Sequence, residues 1–240
     1  MQGVFIAPAE SFAGITPSML DLDWMTWQLA DSAFPAGGFA HSAGIEAAMQ
    51  AGVIRDAATL ESAMRALIVQ TAASALPAVT TVVRDPKRFD DAERRLDACL
   101  TNHVAHRASV AQGQALLSAA PRIFAQPAIV EWSKACRAQR SPGHLAAVFG
   151  YLAQALGMDA DRAAQLFLFM ALRSAFSAAV RLGAVGPLAA QTAIQTLTPE
   201  ARAAAASAGD WTLDDLHQAA PLLDVLQAGQ DRLYSRLFQS

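Results

Sequence analysis

The stretch Ala160-Asp-Arg-Ala-Ala-Gln-Leu-Phe-Leu-Phe-Met-Ala-Leu-Arg-Ser-Ala-Phe-Ser-Ala-Ala-Val-Arg-Leu182 decides the fold class. Leu166, Phe167, Leu168, Phe169, Met170, Leu172, Phe176 and Val180 fall on nearly every side of a helix with 3.6 residues per turn, and Gly183 stops it. A helix apolar all round lies at the centre of a domain or at an interface. No sustained period-2 alternation, the mark of a half-buried strand, occurs anywhere around it. The expectation is an all-α chain: a single compact domain of about ten helices, many of them short, with a C-terminal docking tail.

Outward from that helix, Asp159 offers its N-cap, and Gly157 ends a preceding helix at about 144–156. Another is expected at 128–138. Residues 89–119 carry a charged first half and an apolar second half, ending before Pro121. Asp56 opens a helix with Leu60, Met64, Leu67, Ile68 and Thr71 on one face, and the helical path resumes at 78–84 before Asp85-Pro86. Thr16-Pro17, Ser141-Pro142 and Thr198-Pro199 each pair a hydroxyl N-cap with Pro at the first helical position. Downstream helices are expected at 187–197, 200–206 and 213–228, the last opened by the capping box Thr212-Leu-Asp-Asp215. The resulting division is a flexible segment 1–16, a helical domain 17–228 and a tail 229–240.

Bulk composition narrows function. Of 240 residues 53% are hydrophobic, only 16% are charged, and the net charge is −3. A chain so poor in charge has little to cover its outside, which argues for apolar surface hidden in a partner or an oligomer. No Lys/Arg cluster can track a phosphate backbone, so no nucleic-acid partner is expected. No uninterrupted apolar run approaches the roughly 18 residues of a membrane span, since Arg173 and Arg181 break the greasiest segment, and no membrane association is expected. No basic n-region precedes Val4-Phe5-Ile6. Two isolated cysteines, Cys99 and Cys136, fit a reduced, cytoplasmic protein, a single disulfide being the alternative.

The least regular block is Leu29-Ala-Asp-Ser-Ala-Phe-Pro-Ala-Gly-Gly-Phe-Ala-His-Ser-Ala-Gly-Ile-Glu-Ala-Ala48. Gly37 and Gly38 permit positive φ and close backbone approach, Pro35 stops the preceding helix, and Phe34 and Phe39 can anchor the loop in the core. It is not a P-loop: Gly38 is followed by Phe39 and Ala40 rather than Lys and a hydroxyl, and it follows a helix rather than a strand. The competing reading is a tight helix–loop–helix corner that serves folding.

Three further constellations carry chemistry. Cys99, His103 and His106 form a possible stripe on one helix, able to hold Ni or Zn, against the reading of an ordinary amphipathic helix. His41 beside Ser42 is a poor hydrolase, because adjacency in sequence does not put a base onto a nucleophile; no Gly-x-Ser-x-Gly elbow or marked carboxylate pair exists, and no enzyme and no cofactor are expected. Arg173, Ser177 and Arg181 stand at i, i+4 and i+8, as a docking stripe for acidic groups, an arginine offered to a nucleotide-binding partner, or structural arginines. The end of the chain, Asp231-Arg-Leu-Tyr-Ser-Arg-Leu-Phe-Gln-Ser240, keeps Leu233, Tyr234, Leu237 and Phe238 beside Arg232 and Arg236. It is a docking peptide or a tail packed on its own domain.

Three separated blocks resemble the urease accessory protein UreF family. They are Leu29 to Ala48, Ser177-Ala-Ala-Val-Arg-Leu-Gly-Ala-Val-Gly-Pro-Leu188, and Tyr234-Ser-Arg-Leu-Phe-Gln-Ser240. Weaker agreement lies at Arg107-Ala-Ser109 with Gln112-Gly113, and at Gly143-His144 with Phe149-Gly150. Ala43 stands where a Gly is frequent in the family, Gln239 where an Arg is usual, and Gly186-Pro187 is a variant form. The resemblance implies an all-helical, non-catalytic assembly factor that dimerises and sits between UreD (also called UreH) and the GTPase UreG, in a complex that delivers nickel to apo-urease. Carried onto this chain, Leu233, Tyr234, Ser235, Arg236, Leu237, Phe238 and Ser240 would dock into UreD/UreH. Gly37, Gly38, His41, Ser42 and Glu46, with Arg173 and Arg181, would shape the surface that recruits UreG or the dimer surface, and the assembly would modulate GTP hydrolysis by UreG.

Overall fold

A computed structural model describes residues 22–240. The expected segment 1–16 and the Thr16-Pro17 helix start lie outside the described residues. The chain runs through α1 (Leu22–Ala30), α2 (Ile45–Gln50), α3 (Ala57–Ser74), α4 (Leu76–Arg84), α5 (Phe89–Cys99), α6 (His103–Ile123), α7 (Pro127–Ala138), α8 (Leu145–Ala155), α9 (Ala160–Arg181), α10 (Pro187–Ser207) and α11 (Pro221–Ala228), joined by short 3₁₀ turns. Among the described residues there is no strand, and the fold is all-α.

The helix that decides the fold class lies at the centre. Asp159 caps α9 through its side chain, which accepts the Arg162 N–H at 2.7 Å. It packs against α3, α4, α8 and α10, and α4 and α8 pack on each other. Phe149, Leu168, Leu172 and Phe176 are buried, and Phe149 meets Phe167 edge-on at 5.2 Å. By length and composition α9 could cross a membrane, but more than half of its most apolar stretch is buried inside the protein. Its apolarity is that of a core helix. Truncating either fully buried Phe would cost about 3–5 kcal/mol.

Four expected helix boundaries differ. First, α10 runs unbroken through Thr198-Pro199: the Thr198 hydroxyl donates back to the Ile194 carbonyl at 2.9 Å instead of capping a new helix. Pro199 frees only the carbonyl of exposed Gln195, which water can serve. Second, 89–119 is two helices, broken at Leu100–Asn102. Asn102 caps α6, its Oδ1 accepting the Val104 and Ala105 N–H groups at 3.0 and 3.3 Å. Helix α6 then passes Pro121, because the Leu117 carbonyl that this proline cannot serve accepts the Ser133 hydroxyl of α7 at 3.0 Å.

Third, Ser141-Pro142 starts no helix. The Ser141 hydroxyl goes to Glu93 at 2.9 Å, and α8 begins only at Leu145. Fourth, 213–228 is not one helix. The Thr212 capping box forms over a single 3₁₀ turn, Leu213–Asp215. The following backbone is then drawn to α3, where Gln70 Oε1 accepts the Ala219 and Ala220 N–H groups at 2.8 and 2.7 Å, and Pro221 opens α11.

Candidate functional site

The corner between α1 and α2 is held from α9. Arg173 Nη1 donates to the Ala30 carbonyl at 2.6 Å, the Ser174 hydroxyl to the Gly38 carbonyl at 3.2 Å, and Arg181 Nη1 to the Phe39 carbonyl at 2.5 Å. The expected arginine stripe is thus spent on loop carbonyls in this conformation. Burial lowers the Arg173 pKa, and its Nε has no partner. Ser177 lines a neighbouring cleft of about 330 Å³ with Phe39 and Gln191. Gly37 takes φ +73° as expected, whereas Gly38 does not need positive φ. Phe34 stacks on Phe124 at 6.1 Å, but Phe39 is 70% exposed and anchors nothing in the core.

The end of the chain lies on this corner. Glu46, in the first turn of α2, is 2% exposed. Its Oε1 accepts the Leu237 N–H at 2.6 Å, and its Oε2 accepts the Phe238 N–H at 3.1 Å and the Gln230 side-chain amide at 2.6 Å. Three donors are what a buried carboxylate needs to replace water. Beside it, the Ser42 N–H and hydroxyl both donate to the Ser240 main-chain oxygen, at 2.5 and 3.0 Å, and the Gln239 N–H donates to the Ala40 carbonyl at 2.8 Å. His41 Nδ1 is 2.5 Å from Ser240 Oγ. Burial, helped by the nearby Arg107 charge, lowers the His41 pKa. Phe238 is buried beneath the Arg181 guanidinium, 4.4 Å above its ring.

An ionic group closes the rim. Arg107 grips Asp231 with two bonds, at 3.0 and 2.8 Å, and Arg236 reaches the same carboxylate at 3.1 Å. The Arg107 hydrogen bonds and charge hold the Asp231 carboxyl below the usual range. Ser235 is held by its carbonyl, which accepts from Gln50 at 2.9 Å. Outside this clasp Tyr234 is fully exposed and Leu237 is 52% exposed. Leu233 is half-buried.

A family model described as UreF matches residues 54–198. The chain belongs to the UreF family. It is 35% identical over 228 residues to urease accessory protein F of Arabidopsis thaliana, covering 91% of this chain and 93% of that protein. Against urease accessory protein F of Oryza sativa subsp. indica the identity is 33% over 219 residues, covering 90% and 84%. Against urease accessory protein UreF of Arthrobacter sp. it is 28% over 213 residues, covering 89% and 95%. The corner and the tail lie outside the matched 54–198, so the clasp joins two ends of a UreF-family chain across its middle.

The Cys99, His103 and His106 stripe, the weaker of its two readings, does not converge. Cys99 ends α5, and the chain turns at 100–102, so helical spacing does not relate it to the histidines of α6. Cys99 Sγ lies 3.8 Å from the Leu216 carbonyl, His103 turns to Asp231 at 3.3 Å, and His106 to Asp97 at 2.8 Å. Both cysteines are free thiols, and burial pushes the Cys136 pKa up to about 12. Nor does His41 meet Ser42 as a base would: both turn to Ser240.

A second polar centre was absent from the sequence reading. Glu93 of α5 is buried and gathers the Ser141 hydroxyl at 2.9 Å, the Gly143 N–H at 2.5 Å and the His144 N–H at 2.8 Å. Burial raises its pKa against those three bonds. Ser109 Oγ accepts the Leu145 N–H at 3.2 Å and lies 3.2 Å from His144 Nδ1. Gly113 makes the approach possible, because a Cβ there would lie 1.9 Å from the Gly143 carbonyl oxygen. The pointers were the two weaker blocks of family resemblance, 107–113 and 143–150, which the fold packs together.

Proposed function

We propose that this chain is a non-catalytic scaffold of urease maturation, which assembles with UreD (UreH) and the GTPase UreG around apo-urease, with nickel as the cargo. The observation that carries the reading is the clasp: the last residues are held in one conformation on the corner while Tyr234 and Leu237 point outward. Aromatic and aliphatic side chains presented from a backbone that is already placed make good anchors, because less backbone freedom is left to lose on binding. UreD/UreH takes this tail face, with Leu233, Tyr234 and Leu237 as the apolar contacts and Arg236 at the rim. UreG is recruited by the surface that the corner shapes, and its GTP hydrolysis is modulated from there. Arg181 acts on UreG only after release from Phe39 and Phe238, so the scaffold reading predicts that Arg181→Ala changes GTP turnover in an assembled complex.

The exposed apolar side chains Trp24, Trp27, Phe169 and Leu188 support a homodimer, in line with the low charge content. Two free thiols suit a reducing, cytoplasmic setting. The test is co-purification of the full chain, and of a chain lacking residues 229–240, with UreD/UreH and UreG. Tail-dependent capture of UreD/UreH followed by UreG is expected. Equal capture by the truncated chain would refute the assignment of the tail.

A further inference from the structure

We propose that Asp97, His106 and His144 form a binding site for one divalent transition-metal ion of the zinc or nickel class. The three side chains come from α5, from α6 and from the loop before α8, and no two of them share a helix. Asp97 Oδ1 lies 2.8 Å from His106 Nε2 and 3.4 Å from His144 Nε2. All three donor atoms lie within 4.8 Å of one another, and the two imidazoles meet edge to face at 4.9 Å. An ion bound about 2.1 Å from each ligand places neighbouring donors roughly 3.0–3.4 Å apart, so the two spacings from Asp97 need little adjustment. Two imidazole nitrogens and one carboxylate oxygen suit zinc and nickel and suit calcium or magnesium poorly.

The surroundings are those of a ligand set. His144 is fully buried, and its Nδ1 is taken up by Ser109, which leaves Nε2 turned to Asp97. Metal-binding histidines are held in this way by their other ring nitrogen. The backbone that carries His144 is clamped by Glu93, one turn before Asp97 on α5. Asp97 and His106 keep 54% and 35% of their side chains exposed, which leaves an open side for entry and for water ligands. Neither Cys99 nor His103 belongs to the set. The site is independent of the scaffold reading and would stand if partner capture failed.

The test is equilibrium dialysis of the full-length chain against Zn²⁺ alone and Ni²⁺ alone at neutral pH, with Co²⁺ absorption as a report on ligand geometry. One equivalent per chain is expected. Asp97→Ala and His106→Ala, both partly exposed positions, should each weaken binding at least about tenfold with helicity unchanged. Ser109→Ala, which removes the partner of His144 Nδ1 and the acceptor of the Leu145 N–H but no proposed ligand, should weaken it by about tenfold without changing the stoichiometry. Cys99→Ser and His103→Ala should bind as the parent does. The proposal is overturned if the parent binds no more ion than an Asp97→Ala/His106→Ala double variant, or if Cys99→Ser or His103→Ala abolishes binding instead.

Discussion

Glu46 and Glu93 are the same device used twice. Each is a buried glutamate on a helix, and each carboxylate accepts two successive backbone N–H groups and one side-chain donor from a distant segment. They differ in what they hold. Glu93 clamps a loop fixed at both ends by α7 and α8 and pressed against Gly113. Glu46 holds residues 237–238, and only Phe238 of that pair is buried beside it. The first bond set is therefore coupled to the core. The second can open locally, at the low-stability end of the molecule, where binding elements are usually found.

The largest effect should come from Glu93. Replacing it with Ala leaves three donors without their acceptor in a buried loop, and should lower global stability by on the order of 3 kcal/mol, seen as a drop in denaturant midpoint. Glu46→Ala removes as many bonds, yet it should cost the global transition less than about 1.5 kcal/mol while the amides of Leu237, Phe238 and Gln239 lose their protection in hydrogen exchange. Equal global losses from the two variants would erase the distinction between clamp and clasp.

Ala43 sharpens the comparison from the other side. It sits at φ +54°, a region that costs an L-residue about 1–2 kcal/mol. Ala43→Gly should stabilise the corner by about 1 kcal/mol and slow exchange of the tail amides, a change visible in the melting temperature.

The smallest effect concerns pH. His41 has a lowered pKa in the docked state, because burial and Arg107 disfavour its charged form. A depressed imidazole binds fewer protons folded than unfolded, so the clasp is at full strength above the ordinary histidine value of about 6.5 and weakens as pH falls through it. The protection factors of the tail amides, which discount the slower intrinsic exchange in acid, should fall from pH 7.5 to 5.5 in the parent and lose that dependence in His41→Gln.

The central helix and the corner were legible from sequence, because each is a local pattern: all-round apolarity and Gly-Pro punctuation. The second centre was not. Glu93 and His144 lie 51 positions apart, and nothing near Glu93 marks it as buried. The proline rule misled at Ser141, Thr198 and Pro121 for one reason. Each hydroxyl or freed carbonyl found a partner that helix propensity does not know about: Glu93 for Ser141, the Ile194 carbonyl for Thr198, and Ser133 for the Leu117 carbonyl. The Cys99 stripe failed because a three-residue break separates it from α6.

The central claim is that the clasp holds the chain end in place so that Tyr234 and Leu237 can engage UreD/UreH. The most direct measurement is capture of UreD/UreH by a Tyr234→Ala/Leu237→Ala variant, with its melting temperature and tail amide exchange recorded alongside. Both side chains are exposed, so the variant should fold and exchange as the parent does and should lose capture by at least about tenfold. Undiminished capture by a folded, clasped variant would contradict the account.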